Sequence, residues 1–468
     1  MLKNSDEPPS SSYKEVTLFL SNISEDVWPF IQAITDPAKR KYEIAENANL
    51  VDQHLFSITD EPNIIFVTPK AIDPDFVEYF QSLINIKSLK IISPKNHTGE
   101  ICMDLIHDLK LFHELIADLK GYSRIKLKSY SASHQFYRLK NELLGFGLNV
   151  IMTEAPEDDA SWTINFFGSK SGIRQLAQKS GGIEPDLIMP DGLIVVGTFE
   201  ASRIAADKYI ENDGVVIKTN KGHSGAGVLI FREGDLPSDY EACQQRIHEI
   251  LSQDAYWEKF PIIIEDLVNV NSAVGGGFPS IEFKIKKNGD VDYLYYGGLI
   301  VTKEGVFKGM EINDDVINER IYAQIMDVGY YIGEEYARAG YRGYYDVDMI
   351  AAKNHKIYVS ESNVRRTGAT HVYKTALKLF DDDFMYKTYI VSNNNYNLPG
   401  VINLPFNDLL VKLKELLFNP RKKEGIVILS KNIISQKGFA YIIFAKNKKK
   451  AFEYQDKLYK KLARLVEK

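Results

Sequence analysis

The sequence predicts a multidomain chain of mixed α/β and α+β class. Three observations carry this. Strand-like and helix-like segments alternate through roughly the first 150 residues, the pattern of a parallel α/β layer. Pairs of short apolar runs further on fold back around glycine-rich or polar turns, which is antiparallel chemistry. At 468 residues the chain is also too long for one ordinary core.

Bulk composition narrows the function classes. Hydrophobic content of 44% and charged content of 26% are ordinary for a globular protein in water. A net charge of −6 gives no general reason to expect nucleic acid as a partner. Cys102 and Cys243 have no metal-ligand spacing, so disulfides are not expected and a reducing cytoplasm fits. The start, Met1 to Pro9, lacks a signal peptide's apolar run, and no apolar stretch is long enough to span a bilayer, so no membrane partner is expected.

The elements follow in order. Residues 1–14 are polar and read as a disordered lead-in. Val16–Leu20, Ile64–Thr68 and Leu89–Ser93 read as strands, with a helix over Asp75–Ile84. Met103–Leu119 has helical apolar spacing, and Lys126–Tyr130 and Asn149–Met152 add strands. No catalytic cluster stands out before about residue 160, so this part is expected to shape a site rather than supply its chemistry. Ser169 to Gly172 opens a helix that closes at Gly181-Gly182 ahead of Pro185.

The first stretch with chemistry is Gly214 to Phe231. A β-branched strand ends in Lys218, and a loop of Gly222, His223, Ser224, Gly225, Ala226 and Gly227 leads into a second β-run. Glycines let backbone N–H groups wrap an anion, and a lysine at the strand end adds a point charge to the same phosphates. The lysine precedes the glycines and no helix follows, which excludes both the P-loop and the dinucleotide fingerprint. A flexible hairpin connection is the plainer reading. Pro261–Val268 is an apolar strand with an acidic exit at Glu265, Asp266 and Leu267. Its exiting backbone could meet the edge of a planar base, or it is simply a buried strand reaching solvent. Phe278–Ile285 and Val291–Ile300 flank an Asn288-Gly289 turn, and Ile321, Ile325, Val328, Ile332 and Tyr336 mark a helix ending at Gly340.

A second stretch organises the rest. Gly343–Ile350 and Ile357–Arg366 read as a hairpin turning at Asn354-His355. That register places Asp348 opposite Glu361 and Asp346 opposite Asn363, all on one face. Opposed carboxylates repel, and a divalent cation such as Mg²⁺ or Mn²⁺ removes that cost. A solvated face, with one carboxylate protonated or paired to Arg365, remains the alternative. Beyond residue 395, after Asn393-Asn394-Asn395 read as a linker, the composition fits a small α+β unit ending in a basic amphipathic helix.

Taken in order, the lysine and glycine loop, the acidic strand exit and the carboxylate hairpin resemble the ATP-grasp superfamily over about residues 165–395. The resemblance implies ATP and Mg²⁺ (or Mn²⁺) as cofactors. Lys218 and Gly222–Gly227 would meet the phosphates, and Glu265 to Leu267 the adenine, largely by backbone. Asp348, Glu361 and Asn363 would hold the metal, and Arg365 would stabilise the transferring phosphoryl group. Lys170 is similar to the family's earlier nucleotide lysine, and Glu282 is the candidate for the ribose carboxylate. Within the superfamily, Arg365-Arg366-Thr367-Gly368-Ala369-Thr370-His371 and Phe166 to Gly172 look like the peptide ligases of the pheganomycin biosynthesis type. Those carry a pre-ATP-grasp domain, here 15–164, the core at 165–395 and a small C-terminal domain at 396–468. They join an amino-acid or peptide carboxylate to an amine through an acyl phosphate, and a homodimer would suit the family. Arg366 and His371 would then bind the substrate carboxylate or the acyl phosphate, unless His371 is only a packed helix-start histidine. A carboxylase, a thiol ligase and a non-catalytic ATP-binding module are the competing functions.

Overall fold

The computed structural model describes residues 14–86, 88–222 and 227–466. The expected lead-in, save Lys14, lies outside the described residues, as do His223, Ser224, Gly225 and Ala226 of the glycine-rich loop. Three sheets organise the chain.

The first sheet is parallel, with strands β1 (Glu15–Leu20), β2 (Asn63–Val67), β3 (Ser88–Ile92), β4 (Arg124–Ser129) and β5 (Val150–Met152) in the order β3-β2-β1-β4-β5. Its strands follow the apolar runs because helices pack over them and take them out of water. Helix Pro74–Ile84 is one of these. Asp73 caps it by accepting from the Asp75 and Phe76 N–H groups, and Asn85, at φ 58°, ends it in the left-handed region. Phe76, Phe80 and Ile84, four positions apart, are buried, each stabilising the layer by roughly 1.5–3 kcal/mol. The single helix expected over Met103–Leu119 is instead two, Ile101–His107 and Leu109–Leu119. Asp108 breaks it: its side chain accepts from the Leu111 N–H and starts a new helix, the competition that short polar side chains set up against a continuing ladder.

The second sheet is antiparallel and contiguous in sequence, with β6 (Gly192–Val195), β7 (Gly214–Thr219), β8 (Val228–Arg232) and β9 (Ile262–Asp266) in the order β6-β9-β7-β8. Strand β7 is buried along its whole length. Helices Thr198–Asn212 and Tyr240–Leu251 cover one face through Ala201, Ala205, Cys243 and Ile247.

The third sheet has eight antiparallel strands: β10 (Pro279–Ile285), β11 (Val291–Val301), β12 (Phe307–Ile312), β13 (Gly343–Ala351), β14 (Ile357–Glu361), β15 (Tyr389–Asn397), β16 (Gly425–Ile428) and β17 (Gly438–Ala445). Their order is β14-β13-β10-β11-β12-β15-β17-β16. The expected linker at Asn393–Asn395 is corrected, because these residues lie inside β15. Their turn-like composition has a local cause. Asn393 pairs with Tyr441 and Tyr396 with Phe439, so the chain carries an extra residue between them, and Asn393 Oδ1 accepts from the Asn395 N–H at 3.0 Å. Strands β16 and β17 therefore extend the same sheet that carries the carboxylate hairpin.

Candidate active site

A cavity of about 790 Å³ opens where the sheets meet, lined by residues of β7, β9, β13 and β14 together with the segments between β1 and β2. Its size suits a small-molecule ligand. Lys218, near the end of β7, enters it with its charge already balanced. Its Nζ lies 2.7 Å from Glu265 Oε2 and 3.2 Å from Ser360 Oγ. The other Glu265 oxygen accepts from Arg174 Nη2 at 2.5 Å. All three charged groups are buried, so the glutamate fixes both cations in place. The Lys170 helix is docked to the same strand end: the Lys170 and Ser171 N–H groups donate to the Asn220 carbonyl and side chain, each at 2.9 Å. Lys170 Nζ then reaches Glu361 Oε2 at 2.8 Å.

The β13–β14 hairpin pairs Asp348 with Glu361, the expected register, but not by simple continuation from the turn. Nearer the turn Met349 pairs with Val359 and Ile350 with Tyr358, so a bulge sits between Asp348 and Met349. Past the pair, the Asn363 N–H donates to Asp346 Oδ1 at 2.8 Å, and Asn363 Nδ2 lies 3.0 Å from that same oxygen and 3.4 Å from Asp348 Oδ2. Burial, then the Glu361 charge, raises the Asp348 carboxyl, with Ser280 on the adjacent strand opposing. Burial, then Asp348, raises Asp346 as well. Lys170 leads the opposite shift at Glu361, which is held below the usual carboxylate range.

Asp348 Oδ1 is buried and has no hydrogen-bond partner. An orphaned carboxylate oxygen beside a second carboxylate fits a hard divalent cation keeping several waters, whereas Asn363 points its Nδ2 at the carboxylates and gives its Oδ1 to Arg365, so its amide would have to turn to serve as a ligand. No cluster of three His, Cys, Asp or Glu side chains forms a complete metal cage among the described residues.

Arg365 closes the site. It donates to Asp26 Oδ2 at 2.8 Å, Tyr130 Oη at 3.1 Å and Asn363 Oδ1 at 3.1 Å. Burial alone would raise the Asp26 carboxyl, but Lys221 and Arg365 outweigh it and hold it well below its ordinary range. Asp26 and Tyr130 belong to the parallel-sheet region, where the sequence offered no catalytic cluster.

No family model matches the chain, and no curated protein matches it. Solved structures do. The ADP complex of purK, an N5-carboxyaminoimidazole ribonucleotide synthetase, superposes with a TM-score of 0.53 at 12% identity, covering 95% of this chain and 96% of that one. N5-carboxyaminoimidazole synthase from Aspergillus clavatus, with ADP and its ribonucleotide, gives 0.53 at 12% identity over 97% and 99% of the two chains. The biotin carboxylase domain of Hydrogenobacter thermophilus 2-oxoglutarate carboxylase, with MgADP and bicarbonate, gives 0.52 at 12% identity over 95% and 89%. The chain shares the fold of these ATP-grasp proteins.

In this chain Lys170, Lys218, Gly222, Glu265, Asp266, Leu267, Asp348, Glu361, Asn363, Arg365 and His371 all line one cavity. Gly227, at φ 80°, is a glycine that the backbone demands: a Cβ would sit 1.8 Å from Thr219 Cγ2. Asp266 is bound sideways by Lys208 at 2.6 Å. Two expected roles are corrected. Glu282 does not line the cavity; it is 1% exposed and accepts from Tyr295 Oη, Thr367 Oγ1 and Thr370 Oγ1 at 2.6–2.7 Å, which leaves a ribose no access to it. Arg366 is also absent from the cavity wall. It is 3% exposed, ion-paired with Glu154, bonded to the Ser57 carbonyl at 3.1 Å, and seated over the Tyr344 ring at 4.5 Å. Its guanidinium anchors the parallel sheet's surroundings to β13. His371 is buried in the first turn of helix Thr370–Phe380, and burial pushes it down to about 4 against a contribution from Asn394, so it is a neutral imidazole at pH 7.

Proposed function

We propose that this chain is an ATP-dependent carboxylate–amine ligase forming an amide, and within that class a peptide bond, with release of ADP and phosphate. One observation carries the reading: two buried lysines of one cavity, Lys170 and Lys218, are each held by a carboxylate, and one of those carboxylates belongs to the Asp348–Glu361–Asn363 donor set. Phosphoryl transfer needs positioned charge more than covalent protein chemistry, and that arrangement supplies it. No protein nucleophile is needed, and no nucleophile-elbow motif occurs in the sequence.

The residues have distinct work. Lys218 and Lys170 bind phosphate oxygens, and when Lys170 does so, Glu361 is released to act as a ligand. Asp348 and Glu361, with Asn363 once its amide turns, would hold Mg²⁺ or Mn²⁺, which would supply neutralisation of charge on the phosphoryl oxygens. Arg365, already oriented by Asp26, Tyr130, Asn363 and the Arg366 carbonyl, has one N–H left on Nη2 to direct at the transferred group. The donor carboxylate takes the γ-phosphoryl group as ADP leaves. The amine nitrogen then attacks the acyl carbon, phosphate departs, and the amine proton passes to solvent. Substrates are small amino acids or peptides, cytoplasmic in this reading, and residues 15–164, 165–395 and 396–468 are its working division.

The test is phosphate release with ATP and Mg²⁺ across pools of amino acids and dipeptides, each positive pool going to mass spectrometry. Release that needs two substrates, with a product lighter than their sum by one water, supports the ligase. Glu361→Ala is expected to lower that release by at least about 100-fold, since it removes a ligand and unpairs Lys170. Release stimulated by bicarbonate alone would favour a carboxylase. ATP binding without stimulation by any pool would favour a binding module.

A further inference from the structure

Most of the positive charge in this cavity is already neutralised by the protein itself. Lys218 faces Glu265, Lys170 faces Glu361 and Arg365 faces Asp26. Arg232 and Lys303 are exposed at the rim, where Arg232 donates to the Lys303 carbonyl at 2.7 Å. Lys308 on β12 differs from all of these. It lines the cavity half-buried, and its Nζ donates to a neutral group, the Asn395 carbonyl, at 3.3 Å. No carboxylate lies within ion-pair distance of it among the described residues, and neither Glu43 nor Glu46, which also line the cavity, reaches it. An ammonium has three N–H donors, so two of them have no acceptor there.

Printed contacts place Lys308 near the reacting end. Phe307, its neighbour in sequence, packs against Gly368, where a Cβ would lie 2.5 Å from Phe307 Cε1. Asn394, next to the residue that accepts from Lys308, donates to the Gly368 carbonyl at 2.6 Å. Gly368 stands three residues beyond Arg365, a span of at most about 11 Å. The wall between them is braced. Glu282 accepts from the Thr367 and Thr370 hydroxyls, both at 2.7 Å, and Gln53 Nε2 donates to the Asn394 carbonyl at 3.0 Å. Those hydrogen bonds join one part of the wall to another. The amide oxygens of Asn394 and Asn395 are buried and offer a ligand no acceptor. Toward the cavity this corner therefore presents a positive charge with donors to spare, which favours an anionic acceptor.

Resting on the ligase reading above, we propose that the amine substrate is an amino acid or peptide with a free carboxylate, and that Lys308 holds this carboxylate. The attacking nitrogen is at the Arg365 end, and the carboxylate is turned toward β12, away from the phosphates. An amine that lacks the carboxylate leaves the ammonium without its anion. The held carboxylate makes and breaks no bond. The nitrogen forms the C–N bond, the acyl C–O bond to phosphate breaks, and the amine proton goes to solvent. Lys308 thus selects the amine and takes no part in the chemistry.

The experiment compares L-alanine, L-leucine and L-phenylalanine, each with its carboxamide, as amines with one amino-acid donor pool. Readouts are phosphate release, product mass, and calorimetric binding of the same six compounds to the full chain with a non-hydrolysable ATP analogue. Each acid should exceed its carboxamide by about tenfold in kcat/KM, the difference lying in KM, as one charge-assisted contact gives. That ratio should fall to near one in Lys308→Met and stay within about threefold of wild type in Lys308→Arg. Equal use of acid and carboxamide by the wild type overturns the proposal. So does a ratio unmoved in Lys308→Met, including an equal loss with both amines, which would put Lys308 on the donor carboxylate. Should no amine support release while the acids bind more tightly than their carboxamides to the wild type but not to Lys308→Met, the subsite stands and the ligase reading falls. Absence of both release and carboxylate-dependent binding overturns both.

Discussion

Glu265→Gln isolates the charge that holds Lys218 in place. Glu265 is 2% exposed and contacts Lys218 at 2.7 Å and Arg174 at 2.5 Å. Glutamine keeps the shape and hydrogen-bonding capacity but leaves two buried cations facing no anion. Breaking a buried pair from one side costs about 3–5 kcal/mol. If the 468 residues unfold as one unit, an unfolding entropy of about 2.1 cal/mol/K per residue makes this a Tm loss of about 3–5 °C; a smaller cooperative unit around the four-stranded sheet would lose more. The variant also predicts a ligand effect. Nucleotide phosphates would return an anion to Lys218, so ATP with Mg²⁺ should raise Tm by more in the variant than in the wild type. Differential scanning fluorimetry with and without ATP reads both quantities. A Tm loss under 1 °C together with an unchanged ATP shift would refute the view that Glu265 holds Lys218 in place.

Two further outcomes follow from buried groups elsewhere. Asp52, 0% exposed, accepts from the Lys431 and Asn432 N–H groups, and burial pushes it up to about 6 against those bonds. A raised carboxyl contributes stability that is full below its unfolded value near 4 and is lost as pH rises to 6, worth about 3 kcal/mol. Chemical denaturation at pH 4.5 and 7 should show about 2 kcal/mol of that loss in the wild type and a flatter profile in Asp52→Asn. Arg366→Lys removes planar stacking on Tyr344 and part of the Glu154 contact, so it should cost about 1–3 kcal/mol by denaturant titration. Because Arg366 lies outside the cavity, KM for ATP should stay within about twofold of wild type, and a tenfold rise would return it to the substrate site.

Much of the site is local in sequence and was therefore legible. Lys218 ends a β-branched run, and Asp348 and Glu361 flank a short turn, so the sequence sets them on facing strands, although the bulge is what puts Asp348 opposite Glu361. The bulge beside Asp348 was not legible, because nothing in Met349 or Val359 signals an unpaired residue. Glu282 misled for a different reason. Strand alternation puts a side chain on a face but does not say that Thr367 and Thr370, some 85 residues later, will occupy its oxygens. Asp26 and Tyr130 were missed because they act only through Arg365, more than 200 residues away, and no spacing rule reaches that far. Asn393–Asn395 carried turn chemistry that a sheet bulge uses as readily as a linker does.

The four-stranded sheet is built from one uninterrupted stretch, residues 192–266, and its two ends meet: the Asp266 N–H donates to the Asp191 carbonyl at 2.8 Å. Such a stretch is topologically a cassette, entered and left through a single doorway. It could be exchanged for the matching stretch of a distant relative without cutting either of the other sheets. A chimaera of that kind would inherit Lys218 from one parent and the Asp348–Glu361 hairpin from the other.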